Sequence, residues 1–290
     1  MSESALQSCH QCVSPLVWQG DYSHCGKCGL WQSKLEPKIL SPQAWDKLDE
    51  TLRGDALKSL RQANFTLVLA RIRAIRQEDA KGRLLDVGCA HGWFLQQAKA
   101  NGYEAIGIEP DPRIAAQAQL SGCAVKVGFF PDVLAPEDCY DVIIFNDVFE
   151  HLPDPKMCLS ACFKHLRTGG LLVINLPSSR GIFFRIARLL NNLGRVGPWL
   201  RMWQAGFPSP HLFYFNAENL KQMVQQHGFD CCHESNLSSL KVDGLWARLR
   251  MDTRTNVIIH ACQWLTIAVL SPLLYVLPSD ISLSMFCKLK

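Results

Sequence analysis

Four cysteines near the start of the chain stand as two pairs with metal-binding spacing. Two residues separate Cys9 from Cys12, two separate Cys25 from Cys28, and twelve lie between the pairs. Each pair directs two thiolates at one point, so the two pairs together complete the tetrahedron that zinc prefers. Such a site leaves no open position on the metal. The spacing therefore predicts a structural zinc ribbon over residues 1–34 rather than a catalytic metal centre.

The neighbouring histidines and the many cysteines leave two alternatives to this interpretation. His10 and His24 adjoin the cysteine pairs and could replace one ligand, although we interpret them as neighbours. The chain holds thirteen cysteines, so four unrelated free thiols are the other alternative. Two pairs within one 20-residue window favour the metal site.

A second group of residues forms a glycine turn between an apolar stretch and the start of a helix. Asp86 lies within the apolar residues 84–87, and Gly88 and Gly92 follow in the turn. The two glycines let the backbone approach a ligand, and the free N–H groups of a helix N-terminus attract an anion. Glu109 stands 17 residues beyond Gly92, at the end of the next apolar stretch, where an acid binds ribose hydroxyls. The arrangement predicts a cofactor that contains adenosine.

The residue pattern of the turn distinguishes between two classes of adenosine cofactor. A dinucleotide fingerprint requires G-x-G-x-x-G, in which the third glycine packs the helix against the strand. This turn instead has Asp86, Gly88, Ala90 and Gly92 at alternate positions. An aspartate two residues before the first glycine suits a cationic amino group better than a pyrophosphate. We therefore expect a cofactor other than a dinucleotide.

The elements that position these residues alternate between short apolar strands and helices. Such alternation is typical of βαβ units and predicts an α/β fold with a doubly wound, Rossmann-like parallel sheet that has helices on both faces. Amphipathic helices are expected over residues 43–79, before the first strand of the sheet. The predicted strands are 84–87, 105–108, 141–145 and 171–174, and the predicted helices between them are 93–101, 112–121 and 156–166.

Composition and charge exclude several classes of protein. Apolar residues make up 48% of the 290, which supports a folded core and excludes a mainly disordered chain. A net charge of +4 over this length does not indicate a nucleic-acid binder. The first residues lack the apolar core of a secretory signal, so we expect a reducing cytoplasm, where metal ligation is favoured over disulfides.

At these residues the sequence resembles the class I S-adenosylmethionine-dependent methyltransferases, whose turn reads D-x-G-x-G-x-G. This chain departs from that pattern only at Ala90. Residues 145–155 resemble the segment after the fourth strand of that class, and residues 166–172 resemble its turn into the fifth strand. Residues 211–215 are similar to a bacterial branch with an N-terminal zinc ribbon, which includes relatives of ubiquinone-biosynthesis and sugar-linked methyltransferases.

The resemblance covers residues 9–34 and 83–235 and implies a role for each matching position. Asp86, Gly88 and Gly92 would hold the methionine end of S-adenosylmethionine, and Glu109 would hold its ribose. Asn146 would lie beside the transferring methyl group. The adenine-binding acid of the family is missing after the third strand, and Phe129 or Phe130 would pack against the adenine instead. Ala90 and Pro110 complete the expected cofactor site.

Methyl transfer to a hydroxyl group requires the enzyme to align the nucleophile and remove its proton. His211 and His151 are the candidate bases, because histidine titrates near neutral pH. The alternative is that His151 packs a turn and that His211 makes a structural contact. Asp147, Glu150 and His151 also resemble the Mg²⁺-binding pattern of ubiquinone-type O-methyltransferases, although a plain turn with solvated acids is the favoured interpretation.

Two segments have an apolar or basic character that the cofactor site does not explain. Residues 257–277 carry no charge, which leaves packing on the domain, contact with a membrane surface or a membrane span as alternatives. Packing on the domain is favoured. Residues 180–201 mix arginines with apolar side chains and could contact anionic lipid or a phosphate-bearing acceptor. The arginines are Arg180, Arg185, Arg188, Arg195 and Arg201.

The predicted organisation is a zinc ribbon at 1–34, a helical linker or cap at 35–82 and a methyltransferase domain at 83–290. That domain includes a helical lid at about 180–210 and an apolar helical insertion at about 255–279. The expected function is O-methylation of a small molecule, a sugar or a lipid-linked glycan, in the cytoplasm or at the inner face of the membrane. The alternatives are an RNA or protein methyltransferase that grips its acceptor with the ribbon, and a non-catalytic interaction module; binding to nucleic acid is disfavoured.

Overall fold

The computed structural model describes residues 8–41, 50–77, 82–239 and 279–289, together with single positions between 256 and 269. The predicted insertion at 255–279 therefore lies almost entirely outside the described residues. Part of the predicted linker at 35–82 lies outside them as well.

A seven-stranded sheet forms the centre of the molecule, in the order β10-β11-β8-β7-β4-β5-β6. The strands from β8 to β6 in this order are parallel, whereas β11 runs antiparallel to both of its neighbours. The strands of this sheet are β4 (Arg83–Val87), β5 (Glu104–Glu109), β6 (Ala124–Val127), β7 (Tyr140–Asn146), β8 (Leu166–Pro177), β10 (Phe229–Leu237) and β11 (Ile281–Lys288).

Helices connect these strands and cover both faces of the sheet. A 3-10 turn, Phe149–His151, follows β7 directly. The helices are α1 (Glu50–Arg76), α2 (Trp93–Ala100), α3 (Pro112–Leu120), α4 (Pro155–His165), α5 (Ile182–Asn192), α6 (Val196–Met202) and α7 (Ala217–Gln225). The predicted α/β doubly wound architecture is confirmed.

The order of the strands reverses at β4, which has β5 on one side and β7 on the other. The register pairs Val87 with Ile108 and also with Phe145, so these three strands end at the same edge of the sheet. In open α/β sheets a ligand crevice forms at such a reversal, beyond the carboxyl ends of the strands. The glycine turn, Glu109 and Asn146 all meet at this edge.

Both faces of the sheet are buried, which is why its strands consist of nearly continuous apolar residues. Along β7, Val142 and Ile144 face a core that includes residues of α1 and α2. Ile143 and Phe145 face the opposite core, which includes residues of α4 and α7. This second core also contains Cys9 and Cys25 of the N-terminal segment, so that segment packs directly on the sheet.

The N-terminal segment forms a small sheet whose last strand comes from the far end of the chain. Strands β1 (Trp18–Gln19), β2 (Tyr22–His24) and β3 (Trp31–Ser33) are antiparallel neighbours, and β9 (Phe213–Tyr214) pairs with β3. The register joins Trp31 to Tyr214. We call residues 8–33 the ribbon; its sheet is completed by the segment that follows α6.

Candidate functional site

A cavity of about 470 Å³ opens at the carboxyl ends of β4, β5 and β7. The glycine turn and Glu109 form one part of its wall, and the 3-10 turn after β7 forms another. The segment between α6 and β9 contributes Gln204, Phe207 and His211. Residues that are far apart in the sequence therefore share one cavity.

The glycine turn has a left-handed backbone at three alternate positions. The φ angles are +72° at Gly88, +45° at Ala90 and +73° at Gly92. A side chain is strained in this region, which explains why the related pattern has glycine where this chain has Ala90. At Gly88, a Cβ atom would stand 2.6 Å from Cγ2 of Val148, so only glycine fits there without displacing the 3-10 turn.

Gly92 differs from Gly88 because it does not line the cavity. A Cβ atom at Gly92 would stand 2.8 Å from Sγ of Cys123 and 3.1 Å from Cβ of Ala118. The missing side chain thus makes room for α3 and the residue before β6. Among the residues predicted to hold the cofactor, Gly92 has a packing role in this structure.

Glu109 is held at the end of β5 by two backbone donors. Its Oε2 accepts a hydrogen bond from the N–H of Ala90 at 3.0 Å, and its Oε1 accepts one from the N–H of Asp111 at 3.0 Å. The carboxylate is buried and lines the cavity. It therefore fixes the glycine turn to the start of α3 and presents a negative charge to the cavity.

Asp86 lies at the end of a chain of side-chain hydrogen bonds across the sheet. Asn175 donates to Oδ1 of Asn146 at 2.7 Å, and Asn146 donates to Oδ1 of Asp86 at 3.0 Å. Burial raises the pKa of Asp86 to about 7, although the hydrogen bond from Asn146 opposes this shift. Asn146 lines the cavity, and its amide donates to Asp86.

Phe129 and Pro110 line the cavity next to Glu109. Phe129 is 46% exposed, so its ring is accessible to a bound ligand. Phe130 packs edge-on against Phe145 with ring centroids 5.8 Å apart. Of the two phenylalanines predicted to face adenine, Phe129 is the more accessible one.

A buried cluster of one carboxyl group and two imidazoles lines another part of the cavity wall. Oε1 of Glu150 lies 3.8 Å from Nε2 of His151 and 3.9 Å from Nε2 of His211. The two imidazole rings are in contact, with centroids 4.7 Å apart. Both sequence-predicted bases are thus brought together around Glu150.

Hydrogen bonds define the protonation of the two rings. Nδ1 of His151 lies 2.8 Å from the carbonyl oxygen of Pro210, which can only accept, so Nδ1 carries the proton. Nε2 of His211 lies 2.9 Å from Nε2 of Gln204, which can only donate, so this ring nitrogen accepts. In both rings, the nitrogen that faces Glu150 is therefore the basic one.

Glu150 is fully buried, and neither of its carboxyl oxygens has a hydrogen-bond partner among the residues that the structure describes. Burial raises the pKa of Glu150 well above its usual range, and the nearby charge of Asp147 acts in the same direction. An uncharged carboxyl group is favoured until a cation forms beside it. A protonated imidazole at His151 or His211 would be such a cation.

The same three residues could meet on one metal ion. The ligand atoms of Glu150, His151 and His211 lie within 4.8 Å of one another, whereas Asp147 is not part of this group. Magnesium prefers an octahedron of oxygen ligands, and this set offers two imidazole nitrogens and one carboxylate. The residues present do not fit the Mg²⁺ ion that the resemblance suggested.

The backbone of His211 is fixed from two sides. Its N–H donates to the carbonyl oxygen of Trp203 at 3.0 Å, and its carbonyl accepts from Oγ of Ser33 at 2.9 Å. The next residue, Leu212, donates to the carbonyl oxygen of Glu150 and accepts from the N–H of Ser33. His211 is buried and lines the cavity without any lid movement.

The four cysteines of the ribbon converge at one point. Their Sγ atoms lie within 4.8 Å of one another, with Cys9 to Cys28 and Cys12 to Cys25 both at 3.5 Å. Bonds of about 2.3 Å to a tetrahedral zinc give sulfur–sulfur distances of about 3.8 Å, which this arrangement approaches. Burial raises the pKa of Cys9 to about 11, so four thiolates need a compensating cation.

Some residues of the site had no signal in the sequence. Gln204 and Ser33 contact His211, but neither belongs to a motif, and Ser33 is 178 residues away. Gln204 has a φ angle of +51°, which only the structure reveals. By contrast, Glu150 and His151 were recognisable because they lie in a segment with a known pattern.

Comparison with known proteins shows which families share these features. A profile of the family described as a methyltransferase domain matches residues 58–234. A ubiquinone biosynthesis O-methyltransferase of Cereibacter sphaeroides is 24% identical over 182 residues, which cover 61% of this chain and 71% of that protein. One of Xanthomonas oryzae pv. oryzae is 28% identical over 163 residues, which cover 54% and 65%.

Solved structures share the fold at low sequence identity. A magnesium protoporphyrin IX methyltransferase of Synechocystis, solved with bound SAH, has a TM-score of 0.54 and 10% identity, covering 85% of this chain and 91% of that one. A cyclopropane synthase of Mycobacterium tuberculosis has a TM-score of 0.53 and 16% identity, covering 76% and 84%. At these identities the likeness concerns the fold.

The two functions of a left-handed glycine can be separated by comparing Gly92 with Gly122. Both have positive φ angles, +73° and +79°, but a Cβ atom at Gly122 meets nothing within 4 Å. We expect Gly122→Ala to lower the free energy of unfolding by about 1 kcal/mol, from backbone strain alone. Gly92→Ala should lower it by about 2–4 kcal/mol, because overpacking against Cys123 is added. Urea denaturation measures both; equal losses would contradict the packing role.

Proposed function

The chain belongs to the class I S-adenosylmethionine-dependent methyltransferases, and we propose that it transfers the methyl group to an oxygen atom of a small molecule, a sugar or a lipid-linked glycan. The observation that carries this proposal is the cluster of Glu150, His151 and His211 in the cavity that also contains Asp86 and Glu109. An oxygen nucleophile must lose a proton during transfer, and this cluster supplies a base at the cavity wall.

We assign the polar groups at the strand ends to binding of the cofactor. Glu109 would accept hydrogen bonds from the ribose hydroxyls, and Phe129 would pack against the adenine. Asp86 would face the methionine end, where the amino group is a cation. The raised pKa of Asp86 fits this role, because a buried carboxyl group becomes charged when a cation binds beside it.

Methyl transfer then proceeds as an in-line displacement at the sulfonium. The acceptor oxygen attacks the methyl carbon, and the bond between carbon and sulfur breaks with its electron pair moving to sulfur. The proton of the acceptor hydroxyl goes to Nε2 of His211, which gives up the hydrogen bond that it accepts from Gln204. Glu150, whose carboxyl oxygen is 3.9 Å away, pairs with the resulting imidazolium in its charged form, after its own proton has left through the cavity. His151 offers a second basic nitrogen at 3.8 Å from the same oxygen.

His211 is favoured over His151 as the base because of its surroundings. Gln204 and the backbone contacts to Trp203 and Ser33 hold the His211 ring at the cavity wall. His151 is instead tied through Nδ1 to Pro210, which carries the loop before His211. We therefore assign proton removal to His211 and support of its loop to His151.

The position of the ribbon bears on the alternative acceptors. Its cysteines Cys9 and Cys25 are buried in the core of the domain, and β3 pairs with β9. An RNA or protein substrate would need a projecting surface to grip, and a ribbon packed in this way favours an internal role. Asp86 and Glu109 both line the cavity, which favours an enzyme over a non-catalytic module.

We further propose that the four cysteines hold one structural zinc ion. The ion would supply the positive charge that four clustered thiolates require, and it would hold the two cysteine pairs together. Because β3 carries Ser33, which bonds to the backbone on both sides of His211, the ion would also stabilise the position of that histidine.

The pKa of Asp86 gives a prediction about pH. A protonated Asp86 cannot pair with the amino group of S-adenosylmethionine, so the affinity of the wild-type enzyme should fall roughly tenfold per pH unit below about pH 7. Asp86→Asn should bind more weakly and lose this dependence. Isothermal titration calorimetry from pH 5 to 8 measures both, with the exposed Asp132→Asn as the control. The same slope in wild type and Asp86→Asn would contradict the assignment.

Removal of the imidazole tests the base. His211→Ala should lower turnover by roughly 10²–10⁴, because the base assigned to the acceptor proton is lost, while the affinity for S-adenosylmethionine stays near that of the wild type. Tritiated-methyl transfer into lipid, glycan and RNA extracts identifies the acceptor class and measures turnover. His227→Ala, outside the cavity, is the matched control.

A purely structural His211 would give another result. The variant would then melt at a lower temperature and lose cofactor binding and turnover together. Methylation of RNA alone by the wild type would contradict the proposed acceptor class.

Elemental analysis tests the metal. The protein purified without added metal should contain about one zinc per chain, and Cys25→Ser with Cys28→Ser should release it, because two of the four ligands are lost. Cys231→Ser with Cys232→Ser should retain the ion. The zinc-free variant should also transfer methyl groups more slowly. Zinc that persists in the Cys25 and Cys28 variant would refute the site.

A further inference from the structure

Helices α5 and α6 carry an apolar stripe on the outside of the molecule. On α5 the stripe consists of Phe183, Ile186 and Leu189, and Leu193 continues it just after the helix. Steps of three and four residues place these side chains within about 120° of one another around the helix axis. Leu189 is 59% exposed and Leu193 is 71% exposed. Exposed apolar residues so regularly spaced form a continuous surface.

The inner faces of the same helices are firmly attached to the ribbon. Phe184 and Trp199 are buried and contact the ring of Trp31, with centroids 5.6 and 5.4 Å apart. Trp203 is fully buried and contacts the ring of Tyr22 at 4.9 Å. The two helices therefore have one apolar face for the fold and a second one that the fold leaves exposed.

Within the segment that carries the exposed stripe, the charge is of one sign. Residues 181–207 contain no aspartate or glutamate, and Asp280, from outside the segment, accepts a hydrogen bond from the N–H of Phe183. The arginines of the segment are all exposed: Arg185, Arg188, Arg195 and Arg201. Arg188 lies over the ring of Trp31, whereas on α6 the apolar Val196 and Leu200 are exposed next to Arg195 and Arg201. An apolar stripe with cations beside it is typical of helices that lie in the interface of a membrane.

We propose that α5 and α6 dock on the surface of a bilayer that contains anionic phospholipid. The leucines, Ile186 and Phe183 would enter the boundary between headgroups and acyl chains, and the arginines would contact the phosphates. Among the described residues, no helix is long and apolar enough to cross a membrane. Contact at the surface is therefore the mode that these helices support.

The charge also distinguishes a bilayer from a second copy of the chain. A twofold dimer through this face would bring Arg185, Arg195 and Arg201 of one copy against those of the other, with no acid in the segment to pair them. A nucleic acid would satisfy the arginines but not the apolar stripe. An anionic membrane surface satisfies both.

A second apolar stripe is compatible with the same surface. Val257, Leu265 and Val269 are helical and exposed, and they lie at multiples of four residues from one another. Apart from Ala261 and Trp264, the rest of the predicted apolar segment 257–277 lies outside the described residues. The proposal therefore rests on α5 and α6 alone.

Docking through α5 and α6 would bring the cavity close to the membrane. The chain leaves α6 at Met202, and Gln204 and Phe207 already line the cavity. The proposal does not depend on the acceptor assigned above, because membrane contact and methyl transfer are measured separately.

Vesicle flotation tests the docking surface on the full chain. We expect the wild type to float with vesicles of phosphatidylcholine and phosphatidylglycerol and to remain unbound with phosphatidylcholine alone. Salt at about 0.5 M should release the protein, because it shortens the Debye length to about 4 Å. Replacing Arg185, Arg195 and Arg201 by Gln should weaken binding roughly 100-fold. The control replaces the exposed Arg71, Arg73 and Lys164 by Gln, which changes the net charge equally.

A second pair of variants tests the apolar stripe. Leu189→Ser with Leu193→Ser should weaken vesicle binding by at least tenfold, because two side chains that enter the interface are lost. Leu67→Ser with Leu120→Ser, also exposed, should bind as the wild type does. Calorimetry with S-adenosylmethionine should give the wild-type affinity for every variant.

Three outcomes would overturn the proposal. The first is a wild type that does not float with anionic vesicles. The second is an equal loss of binding in the Arg185, Arg195 and Arg201 variant and in its charge-matched control. The third is a wild-type dimer, seen by light scattering, that dissociates in the Leu189 and Leu193 variant while vesicle binding is absent.

Discussion

The pairing of β3 with β9 is the contact on which the candidate site depends. It joins Trp31 to Tyr214 and leads directly into the bonds between Ser33 and the backbone around His211. A two-stranded pair this short has little stability in isolation. It is supported here by the buried rings of Trp203 and Tyr214, which pack in one core with Trp31. The ribbon therefore packs against the cavity wall and supports the position of His211.

Asp86 and Glu150 are two of the buried carboxyl groups that line the cavity, and they differ in how their charge is supported. Asp86 accepts a hydrogen bond from Asn146, which offsets part of the free-energy penalty of burial. Glu150 has no such partner among the described residues, so its charged form requires a cation nearby. The cofactor's amino group suits the first position, and an imidazolium that forms during the reaction suits the second. The two carboxyl groups would therefore become charged at different stages: Asp86 when the cofactor binds, and Glu150 during methyl transfer.

Helices α5 and α6 lie between the ribbon and the outer surface of the molecule. Their inner aromatic residues contact Trp31 and Tyr22, and their outer face carries leucines and arginines. Because α6 leads into Gln204 and the loop before His211, these helices are joined to the cavity wall by one short segment and by the contact between the rings of His211 and Tyr214.

The features that depend on local spacing could be predicted from the sequence. These are the two cysteine pairs, the turn with Asp86 and Gly88, Glu109 at the end of the next strand, and the alternation of strands and helices. Each is written within about 25 residues, where periodicity and turn chemistry act directly. The fold was needed to show that Gly92 packs against α3, that both histidines share Glu150, and that Ser33 holds His211 from 178 residues away. Contacts of that kind join residues far apart in the sequence, and their distances are set by how the strands and helices pack, so no local pattern records them.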